Sequence, residues 1–192
     1  WSLTDPGCVR SQNQDAYQIT QLDRNTLLCV VCDGMGGAAG GGIASGFACQ
    51  TFVDCVAEFA EKYSPPCPLT RTDERIIRKV LAEAVDSANK KVFDTAGEDV
   101  SLTGMGTTIV MAWIVEDVAH IAWCGDSRAY LFNRQSGLSR LSNDHSYVQE
   151  LVDSGKLDPE LAFDHPNSNI ITRSLGDSPV KAQPDYVCRR LS

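Results

Sequence analysis

Residues 33–37, Asp-Gly-Met-Gly-Gly, combine a carboxylate with glycines directly after the short apolar run 27–32. A run of this length and composition is typical of a buried strand. A carboxylate buried by such a strand is costly unless it is paired or binds a metal ion, and glycine lets a backbone carbonyl approach an ion closely. Asp33 and Gly34 are therefore candidate oxygen ligands for a hard divalent cation. A tight turn in which Asp33 caps the following segment explains this stretch equally well.

A second carboxylate follows another apolar run. Residues 125–128, Gly-Asp-Ser-Arg, come immediately after the run that ends at Cys124. Asp126 is therefore also a candidate metal ligand at the end of a buried strand. The alternative is a β-turn in which Asp126 and Ser127 occupy turn positions, where both residue types are common.

The segment 10–15, Arg-Ser-Gln-Asn-Gln-Asp, contains two further candidates. The fork of donors on Arg10 matches a phosphate group bidentately, and Asp15 is a candidate second carboxylate near the metal. The two side chains can converge only if the fold brings them together. For this segment alone, an ordinary surface loop with an Arg–Asp ion pair is the better interpretation.

Length and charge limit the class of protein. The chain has 192 residues, which favours one domain over residues 1–192, and its 17 basic and 25 acidic residues give a formal net charge of −8. That charge argues against general nucleic-acid binding, which requires a basic surface. No apolar stretch approaches the length of about 20 residues that a membrane-spanning helix needs, and the first residues do not resemble a signal peptide. We therefore expect a cytoplasmic protein that binds neither nucleic acid nor membrane.

Eight cysteines are present, but a disulfide framework is the less favoured interpretation, because disulfide-dense scaffolds are small secreted domains. Cys29 and Cys32 have the spacing of a metal or redox pair, yet on a strand their side chains would point to opposite faces. Without a second pair or a nearby histidine, a zinc site is not expected. Most of the cysteines are predicted to act as small apolar residues.

Periodicity separates helices from strands along the chain. The apolar face of the first predicted helix includes Phe47, and Thr72 is the predicted N-cap of the second. The glycine-rich segment 36–42 lacks the Gly-Lys-Ser/Thr ending of a Walker loop. Two helices followed by an antiparallel meander indicate a layered α+β domain. The predicted elements are strands at 15–21 and 27–32, helices at 43–61 and 73–94, strands at 107–115, 118–123, 129–132 and 138–141, and a polar, partly helical insert at 143–170.

Five motifs occur in a fixed order, at residues 10–15, 33–37, 104–108, 125–128 and 170–176. Together they resemble the metal-dependent protein phosphatases (the PPM or type 2C family of Ser/Thr phosphatases), and the bacterial branch in particular. The resemblance covers essentially the whole chain. It implies a four-layer αββα sandwich of two antiparallel sheets flanked by helices, with the last strands missing from these 192 residues. It also implies that the insert at about 143–170 is the flap beside the active site.

The resemblance implies a reaction and a role for each candidate residue. The reaction is hydrolysis of phosphoserine and phosphothreonine in proteins by a metal-activated water, with two Mn²⁺ or Mg²⁺ ions and a third, weaker site. The implied partners are phosphorylated protein substrates and an opposing Ser/Thr kinase, and the chain is expected to be a monomer. The implied roles are bridging of the two metals by Asp33, a carbonyl ligand from Gly34, the holding of metal-bound water by Asp15, binding of the substrate phosphate by Arg10, and a link to the third metal through Asp126.

Three departures from the family pattern affect these expectations. Gln14 stands where many relatives carry Glu, and Met35 stands where eukaryotic members often have His, although bacterial members commonly share the Met. The Ser-Asp-Gly and Asp-Asn motifs that complete the family's metal pair do not occur in these 192 residues. The chain alone is therefore expected to bind metal weakly and to show feeble or no activity. The alternative function is a metal-poor pseudophosphatase that binds phosphoproteins or kinases without hydrolysis.

Three residues of the insert, His145, Tyr147 and His165, could tune substrate choice. A histidine in a polar insert is more often simply solvated, and solvation is the favoured interpretation here.

Overall fold

The computed structural model describes residues 1–8, 12–36, 40–62, 70 and 73–191. Within these residues, no helix is both long enough and apolar enough to cross a membrane. Short 3₁₀ helices lie at Val100–Leu102 and Pro159–Leu161. The longer elements are β1 (Asp15–Asp23), β2 (Thr26–Met35), α1 (Gly40–Glu61), α2 (Glu74–Glu98), β3 (Gly106–Thr107), β4 (Ile109–Val115), β5 (Val118–Cys124), β6 (Tyr130–Asn133), β7 (Gly137–Arg140), α3 (Tyr147–Asp153) and β8 (Asp185–Arg190).

The strands form a central antiparallel sheet in the order β1-β2-β4-β5-β8, and the short strand β3 pairs with the end of β2. Strands β4 and β5 are joined by the predicted tight link, in which Glu116 has a φ of 56°. Positive φ is what the turns that suit a twisted hairpin require. Strands β6 and β7 pair separately as a hairpin.

One face of the central sheet is covered by α1 and α2. Because side chains alternate along a strand, β2 directs Leu28, Val30 and Cys32 into a core shared with both helices. The predicted apolar stripe of the second helix is buried in full, at Ile77, Leu81, Ala84, Val85, Ala88 and Val92. The placement of Phe47 on the buried face of the first helix is wrong, since Phe47 is 39% exposed and its ring lies beneath the Lys91 ammonium at 5.0 Å.

The opposite face of the sheet is only partly covered. A small apolar cluster at β4 and β5 includes Val110, Ile121 and Trp123, while Tyr17 and Val31 at the β1–β2 end are exposed. The predicted combination of antiparallel sheets with helices is confirmed. Among the described residues, the second sheet of the expected sandwich consists of the β6–β7 hairpin.

Several boundaries differ from those that the sequence predicts. Strand β2 continues through Asp33 to Met35, and α1 begins inside the glycine-rich segment at Gly40. Strand β8 was not predicted, because its sequence Asp-Tyr-Val-Cys-Arg-Arg mixes charged and apolar residues, and pairing with β5 is what holds it in the sheet. The proposed cap Thr72 lies outside the described residues.

The described cysteines match the expectation of small buried apolar residues only in part. Each described cysteine is a free thiol, and Cys32, Cys49 and Cys124 are buried. Cys29 is only partly buried, on the opposite face of β2 from Cys32. Cys67 lies outside the described residues.

Candidate functional site

Asp15 and Asp33 stand directly opposite each other across the β1–β2 pair. Opposite residues in an antiparallel pair project from the same face, with Cβ atoms about 4.5–5.5 Å apart. Both residues are exposed, on the face that the helices leave open. The expectation of a buried carboxylate at residue 33 is therefore wrong, because the strand buries only its other face. The tight-turn alternative is also wrong, because regular pairing continues up to Asp33 and β2 ends only at Met35.

Thr107 and Thr108 fix the backbone of Asp33. The Asp33 N–H donates to Thr108 Oγ1 at 3.0 Å, and the Asp33 carbonyl accepts from the Thr108 N–H at 2.9 Å. The Thr107 hydroxyl also donates to that carbonyl at 2.9 Å. The motif at 104–108 thus supports the strand end that carries the candidate ligand. Its threonines were not among the predicted site residues, although a Thr-Thr pair directly before an apolar run is a visible signal in the sequence.

Gly34 lies where no side chain could fit. A Cβ on Gly34 would overlap the carbonyl oxygens of Gly41 and Gln14, so the start of α1 packs directly on the strand. The Gly34 N–H donates to the Gln14 carbonyl at 3.1 Å, and that carbonyl also accepts from Ser45 Oγ at 2.6 Å. The glycines therefore serve the close approach of a helix to the strand that carries Asp33.

Asp126 follows β5 through Gly125, whose φ of +117° lies in the region that favours glycine. The neighbouring Ser127 hydroxyl lies 2.7 Å from Thr108 Oγ1, the atom that also accepts from Asp33. Thr108 therefore joins the strand end that carries Asp33 to the segment that carries Asp126. The motifs at 33–37, 104–108 and 125–128, which are far apart in sequence, meet at this one side chain.

The environment of Asp126 disfavours its charged form. Burial raises the pKa of the Asp126 carboxyl, and the nearby Asp144 carboxylate raises it further, while Arg128 acts in the opposite direction. A carboxylate that carries this penalty gains stability from a bound cation. The raised pKa therefore agrees with the cation-binding role predicted for Asp126.

Arg128 forms an ion pair with Asp144. Arg128 Nε lies 3.0 Å from both carboxylate oxygens of Asp144, and Nη2 lies 2.5 Å from Oδ2. These bonds raise the pKa of the Arg128 guanidinium. A second guanidinium, from Arg140, is 3.7 Å from the same carboxylate. These two guanidinium groups neutralise the buried Asp144 carboxylate. The positive charge of Arg128 is therefore paired within the chain.

A groove of about 1120 Å³ runs beside this ion pair. It is lined by Asp126 on one side and by residues of the 143–170 segment on the other, among them Ser146 and the 89% exposed Phe163. Within that segment, Tyr147 and His165 face each other with ring centroids 6.1 Å apart. The expectation of a solvated His145 is wrong, because its side chain is only 4% exposed.

The fifth motif, at residues 170–176, joins the same region. Leu175 exchanges two backbone hydrogen bonds with Thr107, at 2.8 and 3.0 Å. The buried Asn89 side chain of α2 accepts from the Gly176 N–H at 2.9 Å and donates to the Ser178 carbonyl at 3.0 Å. Asn89 was not predicted as a site residue. The sequence could have indicated it, because it is a polar residue within the apolar stripe of a helix.

The described residues contain two candidate metal ligands. Asp15 and Asp33 provide two carboxylates on one exposed face, a donor set that suits Mn²⁺ or Mg²⁺. Within the described ranges, no cluster of three or more His, Cys, Asp or Glu side chains is close enough to hold an ion. Arg10 and Gly37 lie outside the described residues, so the phosphate contact of Arg10 stays a prediction.

Comparison with known proteins gives a consistent assignment. The family model described as Protein phosphatase 2C matches residues 9–169. The serine/threonine phosphatase stp of Listeria welshimeri is 35% identical over 173 residues, which are 90% of this chain and 65% of that protein. The chain thus spans just under two thirds of the length of that relative.

Two solved structures share the fold. The serine/threonine phosphatase Stp1 from Staphylococcus aureus matches with a TM-score of 0.83 and 34% identity, over 98% of this chain and 70% of that one. The catalytic domain of the serine/threonine protein phosphatase PstP, in complex with two manganese ions, matches with a TM-score of 0.71 and 28% identity, over 97% and 69% of the chains. The family match, the level of identity and the shared fold together mean that this chain belongs to the protein phosphatase 2C family.

Proposed function

We propose that the chain forms the larger part of a metal-dependent protein phosphatase that hydrolyses phosphoserine and phosphothreonine. The observation that carries the proposal is the register of β1 and β2, which sets Asp15 opposite Asp33 on the open face of the sheet. The connection through Thr108 to the Asp126 segment adds a third carboxylate to the same end of the sheet. The Listeria and Staphylococcus proteins named as serine/threonine phosphatases support the substrate class.

Asp33 and the Gly34 carbonyl are proposed to bind Mn²⁺ or Mg²⁺ directly, Asp15 to hold metal-bound water, and Asp126 to contact a third, weaker ion. Bound ions of this kind lower the pKa of a coordinated water and stabilise negative charge on phosphate oxygens. Metal is also needed for a simple electrostatic reason, since a phosphate dianion would be repelled by a chain of net charge −8 and by paired carboxylates. The PstP structure with two manganese ions supports a divalent metal.

The protein groups have separate tasks under this proposal. Thr107 and Thr108 hold the Asp33 backbone, and Arg10 is proposed to orient the substrate phosphate. A cysteine nucleophile is not involved, and burial raises the pKa of Cys124, the thiol nearest Asp126 in the sequence, to about 11. A thiol with so high a pKa is a poor nucleophile at neutral pH.

The proposal extends to the cellular setting. Substrates are phosphorylated proteins that an opposing Ser/Thr kinase supplies, and the protein acts as a cytoplasmic monomer. Residues 1–192 act as one domain, and the 143–170 segment acts as a flap. The groove between Asp126 and that flap is where the residues beside a phosphorylated side chain would lie.

Phosphate release from a phosphothreonine peptide tests the proposal. With Mn²⁺ the 192-residue chain should show weak turnover that EDTA removes, and Asp33→Asn should reduce it to background. Asp54→Asn is the matched control, because Asp54 is an exposed residue on α1 whose side chain accepts a hydrogen bond from Gln50 in the same helix. Phosphopeptide binding without metal-dependent turnover would instead favour the pseudophosphatase. Turnover that survives Asp33→Asn would remove Asp33 from the metal site.

A further inference from the structure

His145 binds the residue before Asp126 through two hydrogen bonds. The His145 N–H donates to the Gly125 carbonyl at 3.0 Å, and the Gly125 N–H donates to His145 Nδ1 at 3.1 Å. Both backbone groups of Gly125 are therefore satisfied by one residue from a distant part of the chain. Loss of the ring acceptor would leave a buried N–H unsatisfied, which proteins rarely tolerate.

The opposite side of the imidazole faces a carboxylate. Because Nδ1 accepts a hydrogen bond, the ring proton of the neutral imidazole lies on the buried Nε2. This atom is 3.3 Å from Asp185 Oδ2, but it makes no hydrogen bond of normal geometry to any described residue. The other oxygen of Asp185 accepts from Arg173 Nη1 at 3.0 Å. The indole of Trp123 stacks on the ring at a centroid distance of 6.2 Å and an interplanar angle of 21°. The Gly125 N–H therefore selects the tautomer of His145, and the stacked indole of Trp123 orients the ring beside Asp185.

We propose that His145 is a positioning residue that sets the location of the Asp126 carboxylate for metal binding. The inference rests on the proposed function, because it concerns Asp126 as a ligand. Gly125 is the link, since it has a positive φ and packs tightly against Thr108, where a Cβ would lie 2.6 Å from the Thr108 side chain. Because the Gly125 backbone is confined in this way, a shift of the His145 imidazole would also move Asp126. Groups that orient metal ligands in this manner commonly contribute about 10- to 100-fold to metal affinity.

The chain contains a matched control for this role. His120 lies on β5, is fully buried, and bonds through Nδ1 to the Tyr186 hydroxyl at 2.7 Å. No hydrogen bond described for it reaches the Asp126 segment. Replacement of His120 therefore reports the general cost of losing a buried imidazole.

The first experiment needs no metal. Amide hydrogen exchange in the full 192-residue chain is followed by NMR for His145→Leu, His145→Asn and His120→Leu. In His145→Leu, exchange of the Gly125 amide should accelerate by at least about tenfold relative to amides of the central strand β4. Without its acceptor, this amide needs only a small local opening of the structure to exchange with solvent. His145→Asn, whose side-chain oxygen can replace Nδ1 as acceptor, should restore protection. Uniform acceleration at β4 and Gly125, or a similar change at Gly125 in His120→Leu, would overturn the inference.

The second experiment measures Mn²⁺ affinity by calorimetry in a double-mutant cycle with Asp126→Asn. We expect His145→Leu to weaken binding about tenfold or more, His145→Asn to weaken it less, and Asp126→Asn/His145→Leu to bind as weakly as Asp126→Asn alone. Independent effects of the two substitutions would mean that His145 does not act through Asp126. If Asp126→Asn bound Mn²⁺ with wild-type affinity, the metal role of Asp126 would be wrong, and so would this inference. The proposed phosphatase function is tested separately, by the loss of turnover in Asp33→Asn.

Discussion

The two faces of the central sheet differ in what covers them and in what they carry. The face toward α1 and α2 buries Leu28, Val30 and Cys32 of β2 completely or nearly so, whereas Val31 and Asp33 of the same strand are exposed on the other face. One strand therefore serves stability with its even-numbered residues and presents the candidate chemistry with its odd-numbered ones. A functional carboxylate can thus follow a core residue immediately without being buried itself.

The largest effect on stability should come from the covered face. Leu81→Ala truncates a fully buried side chain of α2 and should lower the free energy of unfolding by about 2–5 kcal/mol. Val31→Ala, on the open face, should cost less than about 1 kcal/mol, because the side chain is 45% exposed. Urea denaturation of both variants measures the difference. Equal losses would mean that another surface covers the open face in solution.

Thr108→Val tests the connection between the end of strand β2 that carries Asp33 and the segment that carries Asp126. The change keeps the side-chain shape but removes the hydroxyl that accepts from the Asp33 N–H and meets Ser127. Mn²⁺ affinity should fall about 10- to 100-fold, because the group orients ligands. Thr26→Val is the control, on the strand β2 that carries Asp33, since the buried Thr26 hydroxyl has no hydrogen-bond partner among the described residues. A loss of affinity in Thr26→Val as large as in Thr108→Val would show that the effect is not specific.

The buried histidines should make stability depend on pH. Burial lowers the pKa of both His120 and His145, so the unfolded chain binds protons at a higher pH than the folded chain does. Stability should therefore be fully present above the ordinary pKa of about 6.5 and fall below it, by at most about 1.4 kcal/mol per pH unit for each histidine.

Urea midpoints of the metal-free chain at pH 7.5 and 5.5 measure this dependence, and His120→Asn should flatten it. Glu74 is the group that opposes the effect of burial on the pKa of His120, so Glu74→Gln should lower that pKa further. An unchanged pH dependence in His120→Asn would show that the titration of His120 does not influence stability in this range.

The smallest effect is expected from the carboxylate pair in the absence of metal. Like charges directly opposite each other across strands are destabilising, so Asp33→Asn should raise stability by about 0.2–1 kcal/mol in EDTA. Addition of Mn²⁺ should then stabilise the wild-type chain but not the variant. Thermal melts with and without Mn²⁺ provide the measurement. Equal stabilisation of both chains by Mn²⁺ would place the ion elsewhere.

The sequence predicted most of the elements because their patterns are local. The stripe of α2 and the apolar runs of β2, β4 and β5 reveal themselves over a few residues. The exposure of Asp33 was not predictable in this way, since it depends on what packs against each face of β2. The burial of His145 depends on Gly125, Trp123 and Asp185, which are distant in the chain. Motifs could identify candidate ligands, but not the residues that hold them in place.

The contacts of the Thr108 hydroxyl also determine at what stage of folding the candidate metal site can form. It joins positions 75 residues apart on one side and 19 residues apart on the other. Contacts of such long range form only after the intervening chain has closed into a sheet. During synthesis, Asp33 would leave the ribosome long before Ser127, so metal affinity should arise only after β4 and β5 have paired. Mn²⁺ binding would then report the completion of folding as well as the presence of the ligands.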